Sequence, residues 1–309
     1  MRPLIALVIV AGSVSVAAGL ACGGSDGREV LQSRDEAVYH NVVPPEDFYS
    51  LVPQGMLEDR YIDTSPLDDG AWRDLVTKLR SEGPDALTPD EWRAVALVSW
   101  NALIVQQNTT KYRLVVKDPD SGVETVNGIA EEDYGVISEG EYEVPLITGA
   151  RFVADSPNAA VQESVFQLEF DQENGNVTGV YWERRQGKWE CWREDAGEMY
   201  EWWKIIRFDG CISFGGFTGP ESVDGRAAYK IEGPTELSCA LSIRLWLDEE
   251  TLLPRQFEVV PSDAFEGNGQ YSILRMEGQF TVLEVNGQVN VAPPDAAVEC
   301  TEGSPLGIR

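Results

Sequence analysis

Hydrophobic and polar residues alternate along several stretches of this chain, and the clearest stretch covers residues 241–247. Its odd-numbered positions are all Leu or Ile, and polar Ser and Arg fall between the first of them. A period of two is typical of a β-strand with one buried face and one solvated face. After an acidic interruption at 248–252, Pro254 opens a second alternating run that contains Phe257 and Val259. The pattern predicts a β-hairpin with a longer acidic loop.

The same period of two predicts further strands before and after this hairpin. Alternation is also clean where Phe166, Leu168 and Phe170 are separated by Gln and Glu residues. Segments rich in Gly, Pro, Asn and Asp separate the alternating runs, as expected for turns. In chain order, the other predicted strands are residues 110–117, 123–129, 143–147, 150–154, 166–170, 177–183, 188–192, 271–277, 279–285 and 289–293.

Three stretches instead space their apolar residues three and four apart, as on one face of a helix. The first, residues 71–81, ends at a Gly-Pro pair. The second, residues 88–107, begins with Thr88 as a favourable N-cap and Pro89 in the first turn. The third covers residues 194–207. Their apolar stripes predict helices that pack against a sheet.

The beginning of the chain has the composition of an export signal peptide. Arg2 precedes a run of apolar and small residues that ends at Ala21, and Cys22 follows directly. The sequence Gly-Leu-Ala-Cys resembles a bacterial lipobox, whose cysteine receives a diacylglycerol. The resemblance implies that Cys22 becomes the mature N-terminus, carries fatty acyl groups such as palmitate, and anchors a lipoprotein in the cell envelope. A plain secretory signal with a cysteine nearby is the alternative.

Four segments are expected along the chain. Residues 1–21 form the signal peptide, and residues 22–69 form a tether and an irregular N-terminal segment rich in Gly, Pro and Asp. Residues 70–296 form the folded domain, and residues 297–309 form a C-terminal tail. The one histidine, His40, falls in the irregular segment, where we expect it to be solvated rather than catalytic.

The charge of the chain limits its partners. The formal net charge is -28 at pH 7, which disfavours contact with nucleic acids and with anionic lipid headgroups. We therefore expect no nucleic acid partner, and contact with a membrane must come from the lipid anchor rather than from a basic surface.

Several motifs resemble LolA-like lipoprotein carriers and the related lipoproteins of the LppX and LprG type. WLDEETLLPRQFEV matches the hairpin spacing of those proteins, and VDGRAAYKI resembles the strand before that hairpin. VYWERRQGKWECW resembles a second hairpin, and QVNVAPP resembles a final strand. The resemblance implies one curved antiparallel sheet wrapped around helices, with an apolar cavity for acyl chains.

The expected fold class is α+β. We predict a single strongly curved antiparallel sheet of about nine to eleven strands, forming an open half-barrel with helices on its concave face. A closed lipocalin-like barrel is the main alternative, and two helices before the first strand suit it poorly.

After lipidation of Cys22, four cysteines remain in an exported chain, and an even number favours two disulfides. Three pairings are possible. We favour Cys191 with Cys211, across the third predicted helix, and Cys239 with Cys300, which would tie the tail to the central hairpin. Buried free thiols are the alternative.

No catalytic or cofactor motif is present in the sequence. Glycine-rich phosphate loops, G-x-S-x-G and H-E-x-x-H are all absent, and one histidine disfavours a histidine-dependent triad. We therefore expect no enzyme activity, no cofactor and no metal site. A pair of carboxylates for glycoside hydrolysis is a less favoured alternative.

The expected function is binding or carriage of a lipid or another hydrophobic ligand. The concave surface must be filled either by a ligand or by the protein's own side chains. The alternative to a carrier is therefore an envelope sensor or protein-interaction module whose own aromatic residues fill the cavity. An envelope protein partner is then expected. The predicted ligand-contacting residues are Leu114, Val116, Phe166, Phe170, Leu245, Leu247 and Phe257.

Overall fold

The computed structural model describes most of the chain between Val38 and Glu302. The described residues are 38–51, 67–106, 109–117, 124–139, 142–159, 161–170, 177–195, 215–233, 241–261, 277–294 and 298–302. Three α-helices fall within these ranges: α1 Phe48–Leu51, α2 Asp69–Glu82 and α3 Pro89–Gln106.

The same ranges contain thirteen strands. In chain order they are β1 Val38–Tyr39, β2 Thr109–Lys117, β3 Glu124–Glu139, β4 Tyr142–Ala154, β5 Glu163–Phe170, β6 Val177–Arg185, β7 Lys188–Asp195, β8 Gly216–Val223, β9 Arg226–Glu232, β10 Leu241–Asp248, β11 Pro254–Pro261, β12 Glu277–Val285 and β13 Thr301–Glu302.

All of these strands belong to one sheet. Its order is β13-β7-β6-β5-β4-β3-β2-β12-β11-β10-β9-β8, and β1 pairs with β12 beside this path. The neighbours from β7 to β8 are antiparallel, whereas β1 and β13 are short parallel additions. The strands β13 and β8 lie at the two ends of this order and do not pair with each other, so the sheet is open within the described residues. It is also curved. The predicted half-barrel is confirmed, and the closed barrel is wrong.

The strands β3 and β4 are longer than their sequence pattern indicated. β3 continues past Ile129 to Glu139, and a register shift between Asp133 and Tyr134 accommodates an irregularity in the long β3–β4 ladder. In the sequence, the acidic residues on the solvated face of β3 look like those of a loop. In the fold such residues take part in cross-strand ion pairs, as Glu131 does with the Nζ atom of Lys111 at 3.3 Å.

The strand β8 was not predicted from the sequence. Its sequence, GFTGPESV, lacks alternation and contains Pro220, which is tolerated because β8 lies at the edge of the sheet. The predicted strand at residues 289–293 is wrong, because residues 288–294 form no strand. Residues 194 and 195 belong to β7, and the rest of the predicted helix 194–207 lies outside the described residues.

Helix α3 begins with the predicted cap. The hydroxyl of Thr88 accepts from the backbone N–H of Glu91 at 3.3 Å, and the Glu91 carboxylate accepts from the backbone N–H of Thr88 at 2.6 Å. This reciprocal pair satisfies two N–H groups that the helix itself leaves free. From this start, α3 packs on β8, β10 and β11.

Residues 38–51 pack against the domain. Phe48 is completely buried, and the carbonyl of Pro45 accepts from the indole N–H of Trp72 at 2.8 Å. The backbone N–H of His40 donates to the carbonyl of Val285 at 3.0 Å, which continues the pairing of β1 with β12. The segment that the sequence assigned to an irregular region thus contributes side chains to the core.

The C-terminal segment crosses the outer face of the sheet. We call residues 288–294 and 298–302 the C-terminal strap. The Asn290 carbonyl accepts from Arg151 Nη1 at 3.4 Å, and the Val291 carbonyl accepts from Gln167 Nε2 at 3.1 Å. Further on, Cys300 forms a disulfide with Cys191 of β7. The strap therefore links the end of β12 to β7 across the back of β4 and β5.

Candidate functional site

The inner face of the sheet, on which α3 packs, is the candidate site. Across strands β3 to β6, one row of directly paired residues runs Glu132, Ala150, Phe166 and Tyr181. Directly paired residues point to the same face, so the row belongs to a single surface. We call the buried apolar and aromatic part of this surface the inner patch; it comprises Tyr134, Ile147, Ala150, Phe152, Phe166 and Tyr181.

The inner patch is organised around its aromatic rings. The rings of Phe166 and Tyr181 lie 4.9 Å apart between centroids. The Phe152 ring covers Gly128 of the neighbouring strand, where an added Cβ would lie 2.6 Å from the ring. Glycine is needed there because a side chain would occupy the space of the ring and would also collide with the carbonyl oxygen of Val153. The aromatic residues of the inner patch thus come from four neighbouring strands, β3 to β6.

Helix α3 covers the other half of the inner face. The Trp92 ring stacks on Phe217 of β8 at 4.7 Å, and it meets Tyr229 of β9 edge-on at 5.2 Å. Further along the helix, Trp100 meets Phe257 of β11 edge-on at 5.1 Å. These contacts bury the inner face of β8 to β11 beneath the helix.

The seven predicted ligand-contacting residues fall on both halves. Leu245, Leu247 and Phe257 lie on the strands that α3 covers. Leu114 and Val116 lie on β2, next to the inner patch in the sheet order. Phe166 belongs to the inner patch. All six are buried. Phe170 ends β5, and its side chain is outside the described set.

Sequence reasoning missed five members of the inner patch, among them the aromatic residues Tyr134, Phe152 and Tyr181. Tyr134 lies in an acidic stretch where no strand was predicted, Phe152 lies in a weakly patterned predicted strand, and Tyr181 was treated only as part of a hairpin. A weak signal existed, because Ala130 and Tyr134 are four positions apart, as residues on one face of a strand are. The acidic residues between them obscured it, and one of these, Glu132, lies on the same face.

Polar side chains border the inner patch. On β6, Glu183 is 2 % exposed, and its carboxylate accepts from Arg185 Nε and Nη2 at 2.8 and 2.6 Å. Burial raises the pKa of Glu183, the guanidinium of Arg185 opposes that change, and Glu190 directly across the ladder adds to it. On β3, the Tyr134 hydroxyl donates to the buried carboxylate of Glu132.

The disulfide differs from the favoured pairing. Cys191 pairs with Cys300, at a Cα separation of 4.4 Å. Both favoured pairs, Cys191 with Cys211 and Cys239 with Cys300, are therefore wrong. The reason is the strap, which brings a residue 109 positions away in sequence next to β7. Cys22, Cys211 and Cys239 lie outside the described residues.

Within the described residues, no group of three His, Cys, Asp or Glu side chains is placed to hold a metal ion. His40 is exposed, and its Nε2 atom lies 3.0 Å from Glu284 Oε1. None of the helices that the structure describes combines the length and the apolar character that crossing a membrane requires.

Comparisons with known proteins concern the fold. No protein-family model matches the sequence, and no curated protein matches it. Solved structures similar to this chain include a DUF1329 family protein from Desulfovibrio piger, with 12 % identity, a TM-score of 0.30, and coverage of 67 % of this chain and 95 % of that protein.

Two further structures are similar at comparable levels. MucB has 15 % identity and a TM-score of 0.29, over 68 % of this chain and 62 % of MucB; it has also been solved in complex with MucA(peri). A LolA superfamily protein from Nitrosomonas europaea has 10 % identity and a TM-score of 0.23, over 63 % of this chain and 92 % of that protein. A LolA superfamily protein is thus among the structures that this chain is similar to.

Proposed function

We propose that this protein is a membrane-anchored bacterial lipoprotein that binds or carries a lipid or another hydrophobic ligand without catalysing a reaction. The observation that supports the proposal is the inner patch. It places aromatic and aliphatic side chains in one continuous surface on β3 to β6, beyond the strands on which α3 packs.

The physical basis is the division of the inner face into two halves. Helix α3 and the aromatic residues beneath it fill the half at β8 to β11. The half at β3 to β6 carries a comparable set of apolar side chains, which are buried. An acyl chain that lies next to them would be kept out of water itself, which makes it a suitable occupant. In this proposal Leu114, Val116 and Phe166 border or contact the ligand, whereas Leu245, Leu247 and Phe257 form the wall behind α3.

The alternative is that the protein fills the inner face with its own side chains. Every member of the inner patch is already buried, and the most exposed of them, Tyr134, is 8 % exposed, which favours this second candidate. Such a molecule would serve as an envelope sensor or a protein-interaction module. The two candidates differ in one property, which is whether an apolar ligand can enter next to the inner patch.

The location follows from the proposed anchor. Stable attachment needs two or more acyl chains, because each buried methylene contributes only about 0.8 kcal/mol and one chain is marginal. A thioether-linked diacylglycerol on Cys22 would meet this need. The Cys191–Cys300 disulfide is typical of proteins that fold outside the cytoplasm, which supports placement in the cell envelope, facing the periplasm or the exterior.

Ligand binding is tested by titration with a fluorescent fatty acid. A soluble form that begins at Gly23 contains every described residue and is suitable for the measurement. Ala150→Phe adds a ring to the inner patch, and Val153→Phe adds the same ring to the outer face of the same strand. We expect Ala150→Phe to weaken binding by roughly tenfold or more and Val153→Phe to leave it unchanged.

Two results would argue against a ligand next to the inner patch. Equal effects of the two substitutions would place the ligand elsewhere, and no binding by the unaltered protein would leave the self-filled alternative. Circular dichroism of both variants separates loss of binding from loss of fold.

The anchor is tested separately with Cys22→Ser in the full-length chain. We expect the variant to remain unprocessed or to leave the membrane fraction. Membrane fractionation at an unchanged mature mass would contradict the proposal for Cys22.

A further inference from the structure

One arginine is almost completely buried in the core. Arg255, near the start of β11, is 1 % exposed, and its Nη1 atom lies 3.0 Å from Oδ2 of Asp248 at the end of β10. Asp248 is equally buried, and its Oδ1 atom accepts from the backbone N–H groups of Glu250 and Thr251 at 3.0 and 2.8 Å. The carboxylate is therefore stabilised by two backbone donors as well as by the guanidinium.

The rest of the Arg255 guanidinium is not used. Its Nε and Nη2 atoms are buried and have no hydrogen-bond partner. In a guanidinium, the Nε–H bond and one Nη2–H bond are parallel and form a single edge that fits both oxygens of a carboxylate or a phosphate. Leaving charged donors unpaired in a core is costly, so this open edge indicates a missing acceptor.

Two other arginines in the same protein show how that edge is normally used. Arg151 approaches Glu163 with Nε at 2.8 Å and Nη2 at 2.7 Å. Arg185 approaches Glu183 with the same two atoms at 2.8 and 2.6 Å. Both edges are occupied by a carboxylate of the chain itself, whereas the corresponding edge of Arg255 is open.

A phenol shares the surroundings of Arg255, in a stretch of the chain whose apolar residues are buried. Leu253 and Phe257, two positions to either side of Arg255 in sequence, are both buried. The Tyr39 hydroxyl donates to the carbonyl of Pro254 at 2.9 Å. Burial raises the pKa of Tyr39, and the charges of Arg255 and Asp248 both act on its hydroxyl, which indicates that the phenol and the guanidinium share one environment.

We propose that the open edge of Arg255 binds an oxyanion of the ligand, either a carboxylate or a phosphate. The inference rests on the proposed function and defines its ligand as an acidic lipid rather than a neutral one. The anionic group would be withdrawn from water together with the guanidinium, and a charge-assisted bond is strong in such an environment.

The test compares acidic lipids with neutral analogues of the same chain length. Palmitate is compared with methyl palmitate, and dipalmitoyl phosphatidate is compared with dipalmitoylglycerol, by calorimetric titration of the soluble form that begins at Gly23. We expect one acid to bind at least about tenfold more tightly than its analogue. The pair that shows this preference identifies the oxyanion as a carboxylate or a phosphate.

Arg255→Lys supplies the specific variant. Lysine keeps a positive charge near Asp248 but cannot present two parallel N–H groups. The ratio of the affinities for the acid and for its neutral analogue should therefore fall close to one, while the affinity for the neutral analogue stays unchanged. Arg244→Lys on the neighbouring strand is the matched control, because Arg244 is partly exposed and pairs with Glu258. It should keep the preference of the unaltered protein.

Each other outcome is decisive. Equal affinity of acid and analogue, when both bind, would overturn the inference and leave the proposed function intact, with water satisfying the open edge. If no lipid binds, the proposed function fails. Oxyanion binding by the open edge of Arg255 is then tested separately, with inorganic phosphate as the probe. A rise in Tm with phosphate that Arg255→Lys abolishes would support an oxyanion site, and no rise would overturn it.

Discussion

At the scale of single residues, Trp92 connects the helical layer to the sheet. It is 1 % exposed, stacks on Phe217, and donates its indole N–H to the carbonyl of Pro84 at 3.1 Å. One side chain therefore joins α3, the turn before it and the edge strand β8. Removal of a buried tryptophan leaves a large cavity as well as an unpaired carbonyl.

We expect Trp92→Ala to lower the free energy of unfolding by about 3 to 5 kcal/mol. A double-mutant cycle with Phe217→Ala should give a coupling of about 0.5 to 1.5 kcal/mol in urea unfolding, because the rings are stacked. Trp246→Ala is the control, since Trp246 packs with Val223 and Ala228 in a separate cluster. If the coupling of Trp92 to Trp246 equals its coupling to Phe217, the stacked contact between Trp92 and Phe217 is contradicted.

The buried carboxylate of Glu183 gives a prediction on pH. Its pKa in the folded protein is raised above the ordinary value of 4.5, chiefly by burial. A raised pKa favours the folded state while the group is protonated, and this contribution is lost as the pH rises through the folded pKa. The stability of the unaltered protein relative to Glu183→Gln should therefore be greatest in acid and fall as the pH rises above about 4.5.

Chemical unfolding at a series of pH values measures this difference. A relative stability that increases with pH would mean that the Arg185 ion pair outweighs burial, and the account of Glu183 would be wrong.

At the scale of elements, the sequence predicted best where alternation was not obscured. The hairpins β6–β7 and β10–β11 and the strands β2 and β5 follow clean patterns of apolar and polar residues. The edge strand β8 carries no such pattern, because Gly219 and Pro220 interrupt it and much of it faces solvent. Its position depends on pairing with β9, which is a contact that local sequence does not encode.

The strap is the opposite case. Val289 and Val291 alternate with polar or small residues as in a strand. The strap is nevertheless not paired as a strand, because its backbone carbonyls accept hydrogen bonds from side chains of other strands. Arg151 and Gln167 come from β4 and β5, so the local pattern could not distinguish a strap from a strand. The pairing of Cys191 with Cys300 follows from the path of the strap and not from cysteine spacing.

Loss of that disulfide should destabilise the protein. We expect the double variant Cys191→Ser and Cys300→Ser to lose about 2 to 4 kcal/mol of unfolding free energy, because the strap is then joined to β7 only by weak pairing. Urea unfolding under oxidising conditions measures the change. An unchanged transition midpoint would mean that the strap contributes little to stability.

A second disulfide between Cys211 and Cys239 is our proposal for the remaining thiols. With Cys191 and Cys300 joined, it is the one pairing left among the four. Peptide mapping without reduction should find this link, and an alkylated free thiol at either position would exclude it.

At the scale of the whole molecule, an open sheet must protect a large apolar face. Helices α2 and α3 protect one half, and the aromatic inner patch forms the other. The strap and its disulfide hold the outer face across β3 to β7. The sequence predicted this division into sheet, helices and concave surface, and it predicted Phe166, whereas the other members of the inner patch were identified only from the register of β3 to β6.

The central claim is that an apolar ligand occupies the molecule next to the inner patch. Native mass spectrometry of the soluble form that begins at Gly23, purified from bacteria without added lipid, tests it most directly. We predict an excess mass equal to one lipid, which Ala150→Phe abolishes and Val153→Phe retains. A bare polypeptide mass for the unaltered protein, folded by circular dichroism and unable to take up added lipid, would contradict the claim.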